Sequence, residues 1–315
     1  MSLVEKRYTR HRYDHGLNAF EFPIGPRTVR FYGIFDDLSK TWTLIDCGLA
    51  GHPVEVLESG DLEGTVARII VTHADADHIG GVAEVVERFP GCEVLCHEFD
   101  RAWCEDHDLL VAERYGCAQA RYGFSYPEPT RIAFREACGD NFAVTRSLRA
   151  GDLLRLGKLN WRILHVPGHS PGHIALYSES KGWLVGGDCV LGGGPPSADG
   201  LPSMPPTHQF IGDYVSTLEL IRSLELTTAY FAHWRPLNNY DLLDLIEKSR
   251  LVIAEDLEWL QKKRGDKASF ESLLAGLNAR GNTWDSSENA HYQYALVGYL
   301  DYLQQHGYEW KVYNL

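Results

Sequence analysis

The chain is short of basic residues and has no long hydrophobic run. Lysine and arginine number 30 against 43 aspartates and glutamates, which gives a net charge of −13. Such a chain lacks the general basic field with which proteins hold nucleic acid or anionic membranes. No early stretch is apolar and long enough for a signal peptide or a membrane span. We therefore expect neither nucleic acid nor a membrane as a partner.

Cysteine is also used without pattern. The seven cysteines are odd in number, and no Cys-x-x-Cys pair or regular spacing occurs. A disulfide framework is typical of secreted proteins with paired cysteines, so a reduced, cytoplasmic protein fits better. With 315 residues, of which 44% are hydrophobic, the chain can bury one large core, or one core and a small second domain.

Short strand-like runs alternate with helical ones along the chain. The alternation predicts strands at 20–22, 28–32, 42–46 and 93–96, and hairpins over 153–166 and 174–185. Helical spacing follows residue 79, and the segment 98–126 reads as helical and rich in aromatics. The segment 192–206 holds three consecutive glycines and five prolines, which predicts a surface loop.

Four residues able to bind a metal occupy six positions directly after the apolar run 67–71. They are His73, Asp75, Asp77 and His78. The run predicts a buried strand, so the cluster lies where a strand ends and a helix begins. Imidazoles and carboxylates placed there can converge on divalent ions. The structural alternative is a helix cap, with Asp77 accepting backbone hydrogen bonds.

Three further elements of the same kind follow, each after a strand-like run. His169 and His173 lie in a tight loop of glycines and prolines, Asp188 follows Gly-Gly, and His233 follows another apolar run. Each alone is more often a turn or a hydrogen-bonded histidine than a ligand. All four elements in this order point to one metal centre.

This ordered set resembles the metallo-β-lactamase superfamily, whose signature is His-x-His-x-Asp-His followed by a Gly-His loop, an aspartate and a last histidine. The resemblance covers about residues 16–236. It implies an α+β fold, a four-layer αβ/βα sandwich with metals at one edge between the sheets. We expect a catalytic domain over 1–236 and a mostly helical C-terminal extension over 237–315.

The resemblance also implies a role for each residue. By position, ion 1 would be bound by His73, Asp75 and His169, ion 2 by Asp77, His78 and His233, and Asp188 would bridge both. Asp46 would support the ligand loop. His173 matches no ligand position, so we expect it to hydrogen-bond a ligand, with a plain structural role as the alternative.

Asp75 is the departure from the family pattern, because a histidine is usual there. Two divalent ions with Asp77, Asp188 and a bridging hydroxide keep a net charge of about +1, and a charged Asp75 lowers this to about zero. Zinc is the expected metal. Mn and Fe are the alternatives, because the extra carboxylate suits them better than a histidine-rich zinc site would. If Asp75 does not bind, site 1 is weak or empty, and a mononuclear site of His73, His169 and Asp188 is the alternative.

The resemblance implies a metal-dependent hydrolase of a small-molecule ester, thioester or lactone. A metal-bridging hydroxide would be the nucleophile, and Asp77 would take its proton during turnover. Two alternatives belong to other classes. One is a mononuclear iron sulfur dioxygenase acting on a thiol or persulfide, and the other is a catalytically silent, metal-binding regulatory protein.

The residues that contact the substrate are the hardest feature to predict from the sequence. Aromatics of the segment 98–126, above all Trp103 and Tyr115, and His208 after the glycine-rich loop are candidates to flank the metals. The alternative for these aromatics is the packed core of a cap helix. Three arginines of the same segment could meet an anionic group, although exposed arginines seldom do; they are Arg101, Arg114 and Arg121.

The tail after residue 240 is predicted to be helical, with a short final strand at 309–313. This succession is similar to the winged-helix-like tail of some hydrolases of the superfamily. Over 240–315, eight basic residues face twelve acidic ones, so the tail has the wrong sign to hold phosphates. We expect it to pack on the core, cover the active-site mouth or form a homodimer contact.

Overall fold

The computed structural model describes residues 7–263, 268–281 and 284–307. Two mixed sheets make up most of the described chain. The first contains seven strands in the order β1-β2-β3-β4-β5-β6-β7. They are β1 (Thr9–Arg12), β2 (Leu17–Ile24), β3 (Arg27–Asp36), β4 (Thr41–Ile45), β5 (Thr65–Ile70), β6 (Glu93–His97) and β7 (Arg146–Leu148). Neighbours are antiparallel from β1 to β4 and parallel from β4 to β7.

The second sheet contains six strands in the order β13-β12-β11-β10-β9-β8. Its strands are β8 (Leu153–Leu156), β9 (Leu159–His165), β10 (Ile174–Ser178), β11 (Trp183–Gly187), β12 (Thr228–Phe231) and β13 (Leu237–Asn238). All neighbours are antiparallel except β11 and β12, which are parallel. Consequently β9, β11 and β12 run in the same direction, and their carboxyl ends meet at one edge of the sheet.

Helices cover the outer face of each sheet. Those of the first half are α1 (His52–Glu58), α2 (Ala76–Ile79), α3 (Val82–Arg88), α4 (Arg101–Glu105), α5 (His107–Leu110), α6 (Gln119–Tyr122) and α7 (Glu128–Ala137). Those of the second half are α8 (Ile211–Arg222), α9 (Asn239–Lys263), α10 (Phe270–Gly281) and α11 (Gln293–Gln305). A single π-helical turn, Val111–Tyr115, joins α5 to the stretch before α6.

Three hydrophobic clusters separate the layers. One lies between the sheets and includes Ile45 and Trp161; its members alternate along each strand with residues that face the helices. A second lies between the first sheet and its helices, and a third between the second sheet and its helices. Three buried interfaces define four layers, so the predicted αβ/βα sandwich is confirmed.

The strands β2 and β3 are longer than the apolar alternation predicted, whereas β4 and β6 lie close to their predicted bounds. The ladder between β2 and β3 pairs Leu17 with Ile34 at one end and Ile24 with Arg27 at the other. Polar residues take part in it because ladder hydrogen bonds come from the backbone, whichever side chain is attached. The strands β1 and β7 were not predicted, because their sequences show no apolar alternation.

The C-terminal helices pack against the second sheet. Leu273 of α10 and Leu300 of α11 belong to the same buried cluster as Phe231 of β12. The tail is helical as predicted, while the domain boundary at residue 236 and the winged-helix character stay predictions. The predicted strand at 309–313 lies outside the described residues. Within the described ranges, no helix is both long and apolar enough to cross a membrane.

The contact between α11 and the segment before α8 gives a test of this packing. A Cβ at Gly298 would lie 2.0 Å from the carbonyl oxygen of Gln209, whereas one at Gly212 would meet only the Tyr302 ring at 3.9 Å. We expect Gly298→Ala to lower the free energy of unfolding by about 1–3 kcal/mol, as overpacking does. Gly212→Ala, the matched helical control, should change it by less than about 1 kcal/mol. Urea unfolding followed by circular dichroism measures both, and equal effects would contradict the contact.

Candidate metal centre

The seven predicted ligands converge at one edge of the sandwich. They follow the carboxyl ends of parallel strands, β5 in the first sheet and β9, β11 and β12 in the second. The structure brings them into three overlapping groups whose ligand atoms lie within 4.8 Å of one another: His73, Asp75 and His169; His73, His78 and Asp188; Asp77, His78 and His233.

Asp46 anchors the first ligand loop from the end of β4. Its Oδ1 accepts a hydrogen bond from the backbone N–H of Thr72 at 2.7 Å, and its Oδ2 accepts one from the Thr72 hydroxyl at 2.8 Å. The same Oδ2 accepts from His78 Nδ1 at 2.8 Å. Asp46 has a φ of 63°, in the left-handed region that favours glycine. These three hydrogen bonds hold a backbone conformation that a non-glycine residue seldom adopts.

Hydrogen bonds orient the two histidines of that loop. His78 donates from Nδ1 to Asp46, and His73 donates from Nδ1 to the Thr72 hydroxyl oxygen at 3.0 Å. Each imidazole therefore carries its proton on Nδ1 and presents the lone pair of Nε2 to the centre. Such a partner fixes the tautomer of a metal-binding histidine.

The two histidines from the second sheet are oriented in the same way. His169 donates from Nδ1 to the carbonyl oxygen of Thr207 at 3.2 Å. His233 donates from Nδ1 to the carbonyl oxygen of Thr28 on β3 at 2.8 Å. All four histidines thus turn Nε2 towards one another. Their partners come from the first sheet and its strand ends, except for Thr207, which lies in the segment before α8.

The first group of ligand atoms is compact. His169 Nε2 lies 3.1 Å from His73 Nε2 and 2.8 Å from Asp75 Oδ2, and His73 Nε2 lies 3.6 Å from the same oxygen. Ligands that bind one zinc ion tetrahedrally at about 2.0–2.2 Å stand roughly 3.3 Å apart. The three side chains therefore match the spacing that a single divalent ion requires.

The second group is slightly wider. Asp77 Oδ1 lies 4.0 Å from His78 Nε2, and Asp77 Oδ2 lies 3.3 Å from His233 Nε2. Asp188 reaches both imidazoles, with Oδ1 at 3.8 Å from His78 Nε2 and Oδ2 at 3.3 Å from His233 Nε2. Asp188 thus faces two imidazoles of the second group, and its ligand atom also lies within 4.8 Å of that of His73 in the first group, so its position between the groups suits a bridging ligand.

Two of these atoms are buried without a hydrogen-bond partner. They are Nε2 of His78 and Oδ1 of Asp188. Leaving a buried polar atom unpaired costs about 1–3 kcal/mol, so such atoms point to a missing partner. Both face the middle of the centre, and a nitrogen lone pair and a carboxylate oxygen are metal ligands. The residues present therefore fit divalent metal.

The pKa values show how strongly the carboxylates act on the second group. Burial disfavours the charged form of His78, but Asp46 and Asp77 outweigh it and raise its pKa to about 9. Burial is likewise outweighed at His233, where Asp188 raises the pKa to about 10. His73 differs, because burial lowers its pKa to about 4. Without metal, protons on His78 and His233 supply the positive charge that the carboxylates require.

Asp75 forms an ion pair that the sequence did not predict. Arg114 Nε lies 3.2 Å from Asp75 Oδ1, and Nη2 lies 3.2 Å from Oδ2. Burial disfavours the Asp75 carboxylate, yet Arg114 outweighs it and holds the pKa of Asp75 well below its usual range. The sequence analysis named Arg114 as one of three arginines that could meet an anionic group, with an exposed position as the alternative; its side chain is only 1% exposed. It lies in the π-helical turn Val111–Tyr115, in which Arg114 and Tyr115 are the buried residues.

The other two arginines lie at the surface. Arg101 pairs with Glu105 one turn along α4, and Arg121 pairs with Asp301 on α11. Both side chains are more than two-fifths exposed, so these pairs contribute little to stability.

Asp100 is a functional residue that the sequence analysis missed. This fully buried carboxylate accepts hydrogen bonds from Ala74 N at 3.1 Å, from Gly172 N at 2.6 Å and from the Ser170 hydroxyl at 2.6 Å. It therefore ties the loop of His73 to the loop of His169. A Cβ at Gly172 would lie 2.5 Å from Asp100 N, which explains the glycine. The signal was an aspartate three residues after the end of strand β6.

His173 lies beside the predicted ligands but belongs to none of the three ligand groups. Its Nε2 accepts a hydrogen bond from the backbone N–H of Asp188 at 3.0 Å, and its ring stacks on that of His73 with centroids 4.5 Å apart. Burial holds the pKa of His173 well below its usual range, so the ring is neutral and can accept this bond. His173 thereby fixes the backbone that carries the bridging carboxylate.

The three substrate-contact candidates hydrogen-bond to other residues of the chain. Trp103 donates from its indole to Glu113, and the Tyr115 hydroxyl accepts from Ala76 N in the ligand loop. His208 is fully buried, and its Nε2 lies 2.8 Å from the hydroxyl of Tyr299 on α11. A substrate contact by any of the three stays a prediction.

The raised pKa values predict how metal-free protein responds to pH. His78 and His233 keep their protons in the folded state up to about pH 9 and about pH 10, but lose them near 6.5 when unfolded. Stability from these protons is complete below about pH 6.5 and is lost as the pH rises through the folded values. The midpoint of thermal unfolding of chelator-treated protein should therefore fall between pH 7 and pH 10. Over the same range metal binding should tighten, because the ions need neutral imidazoles. A constant or rising midpoint would contradict these charge states.

Asp100→Asn tests the tie between the ligand loops. All three partners of Asp100 donate, whereas asparagine turns one acceptor oxygen into a donating amide. We expect metal affinity to fall by about 10–100-fold, the usual cost of losing a partner that orients ligands. Competition with a chromogenic chelator measures it. Asp106→Asn is the control, since Asp106 caps α5 and is exposed; a loss as large there would count against the tie.

Comparison with known proteins agrees with this geometry. A family model described as the metallo-beta-lactamase superfamily matches residues 34–233, which is more than half of the chain. The matched region runs from β3 to His233 and includes every predicted ligand.

Two curated relatives illustrate the likeness in sequence. The chain is 28% identical over 163 residues to a hydroxyacylglutathione hydrolase of Legionella pneumophila (strain Corby), covering 52% of this chain and 48% of the relative. It is also 28% identical over 194 residues to an acyl-coenzyme A thioesterase of Bos taurus, covering 57% and 61%. The chain thus spans about half the length of the first of these relatives.

Two solved structures show the same fold. A beta-lactamase domain protein from Burkholderia ambifaria superposes with a TM-score of 0.73 at 20% identity, covering 95% of this chain and 88% of that one. A metallo-beta-lactamase family protein from Thermus thermophilus gives 0.71 at 23% identity, covering 93% and 94%. The sandwich, the order of the metal-binding elements and the family match agree: this chain belongs to the metallo-β-lactamase superfamily.

Proposed function

We propose that the chain is a metal-dependent hydrolase of a small-molecule thioester. The observation that carries this proposal is the convergence of four oriented imidazoles and three carboxylates at the edge of the sandwich, beside a cavity. His73, Asp75 and His169 would hold one divalent ion, Asp77, His78 and His233 a second, and Asp188 would bridge them. Zinc suits a set of four imidazoles, and the three carboxylates also allow Mn or Fe.

The metal ions and the side chains would play different roles in the hydrolysis. When bound, divalent ions acidify a water molecule and polarise the carbonyl oxygen of a substrate. The chain holds the ligands at fixed spacing, because each imidazole is anchored through Nδ1. Asp77 is 26% exposed, against 14% for Asp75 and 7% for Asp188. It is therefore the carboxylate that water can approach, and we assign it the role of proton acceptor.

A cavity beside the centre supports a small-molecule substrate. It has a volume of about 870 Å³ and reaches His233. Its walls are the glycine-rich loop, one side of α9 between residues 241 and 255, and the hairpin of β2 and β3, with Trp234, Leu237 and Leu245 as apolar lining. A volume of this size and a partly apolar wall suit an acyl group with a polar carrier.

The leaving group favours a thioester over an amide. A thiol has a pKa near 8.5, so a thiolate departs without an acid to protonate it, whereas an amine requires one. Two relatives are named for hydroxyacylglutathione and acyl-coenzyme A, and both compounds are thioesters. Esters and lactones remain secondary substrates of the same chemistry.

Turnover of thioesters tests the proposal. Metal-loaded protein should release thiol from acyl-glutathione or acyl-coenzyme A substrates, followed with a thiol-reactive dye. Asp77→Asn should lower kcat by about 10²-fold or more, because the proton acceptor is lost and a carboxylate ligand of the second ion is lost with it. Asp108→Asn is the matched control, since Asp108 is 81% exposed and pairs with Arg135 at the surface.

Two results would overturn the proposal. One is the absence of thiol release above the buffer rate in protein shown to contain its ions. The other is oxygen uptake with a thiol or persulfide substrate and one iron per chain, which would identify the dioxygenase alternative instead.

A further inference from the structure

We propose that Asp75 and Arg114 replace the usual histidine as a unit, in which Asp75 supplies the ligand atom and Arg114 is a positioning residue that cancels its charge. This rests on metal binding by the centre, which belongs to the proposed function. Arg114 is not part of the metal-binding signature described above. The inference comes from the contacts of the guanidinium, the free face of the carboxylate and the charge of the centre.

Arg114 can hold Asp75 in one orientation only. Its Nε and Nη2 each lie 3.2 Å from a different oxygen of the carboxylate, the paired geometry in which arginine fixes a carboxylate plane. Its Nη1 donates to Gln209 Oε1 at 2.7 Å. The face of the guanidinium lies 4.7 Å from the centroid of the Tyr294 ring. With both edges and a face engaged, the side chain is fixed in place.

The carboxylate retains a lone pair for an ion. A carboxylate oxygen offers two lone pairs, and Arg114 uses one on each oxygen of Asp75. Oδ2 also faces the imidazoles, at 2.8 Å from His169 Nε2 and 3.6 Å from His73 Nε2. That oxygen lies where Nε2 of a third histidine would complete the group, so Asp75 can bind an ion while paired.

The ion pair of Asp75 and Arg114 changes the net charge of the metal centre that was predicted from the sequence. With Asp75 counted alone, two divalent ions, three carboxylates and a hydroxide sum to about zero. Arg114 adds one positive charge within the same buried group and returns the sum to about +1, as in a centre with histidine at this position. The expected net charge of about zero is therefore corrected to about +1, because Asp75 adds no uncompensated charge.

This arrangement predicts an unusual response to substitution. Asp75→His alone restores the family motif, yet it leaves a buried guanidinium without its counter-ion beside a cation, so it should weaken metal binding. Arg114→Gln alone leaves an uncompensated carboxylate at the ion, so it should strengthen binding. The two changes together should nearly cancel.

Cobalt titration of chelator-treated protein tests these signs without recourse to turnover. The visible absorption of bound Co²⁺ reports the number of ions and their environment, and competition with a chelator gives Kd. For the ion bound beside His73, we expect Arg114→Gln to tighten Kd by about tenfold and Asp75→His to loosen it by about tenfold or more. The double variant Asp75→His/Arg114→Gln should lie within about threefold of the parent. Arg114→Lys, which keeps the charge, should stay close to the parent.

The alternative is that Arg114 only braces the fold. If Arg114 only supports the fold, Arg114→Gln should weaken metal binding, and Arg114→Lys should weaken it as well. The double variant should then bind metal more weakly than either single variant. This set of results would overturn the proposal. Should Arg114→Gln not fold, a double variant that binds no better than Asp75→His overturns it equally. Parent protein that binds cobalt but hydrolyses no thioester would refute the proposed function and leave this inference standing.

Discussion

The structure depends on the balance of charge within one buried group. At the edge between the two sheets, Asp46 and Asp188 are buried, and Asp75 and Asp77 are partly buried. Carboxylates in such a place are stable only when cations or several hydrogen bonds match them. Asp46 is matched by the Thr72 hydrogen bonds and His78, Asp75 by Arg114, and Asp77 and Asp188 by imidazoles. In metal-free protein, protons on His78 and His233 complete the balance, and divalent ions can take their place.

The sandwich makes this balance possible because neither sheet could build the centre alone. The first sheet contributes the loop after β5 and the anchor at the end of β4, and the second contributes the ligands after β9, β11 and β12. The sheets also hold each other at this edge: Arg30 N donates to the carbonyl of Ala232 at 2.8 Å, and the Tyr32 hydroxyl donates to the carbonyl of Phe231 at 2.8 Å. Ligand spacing therefore depends on the packing of the core between the sheets.

The ligand loops could be predicted from the sequence because the signals are local. Metal-binding residues packed into six positions after a strand are visible in any window, and parallel strands bring such ends together. Arg114 and Asp100 could not be assigned, because their partners lie 39 residues away at Asp75 and 72 residues away at Gly172. Whether a charged residue in a helical segment faces solvent or a buried carboxylate is decided by tertiary packing. The aromatics of the same segment were equally ambiguous, and the structure buries Tyr115 against the ligand loop.

Three consecutive residues connect the centre to the C-terminal helices. Thr207 accepts from His169, His208 lies 2.8 Å from the Tyr299 hydroxyl, and Gln209 accepts from Arg114. The helix α11 contributes Tyr299 to this segment and the Tyr294 ring to the face of Arg114. The tail therefore touches the partners of two members of the first metal group, the imidazole of His169 and the carboxylate of Asp75. Because packed elements shift together rather than bend, a displacement of α11 would change the first metal group before the second.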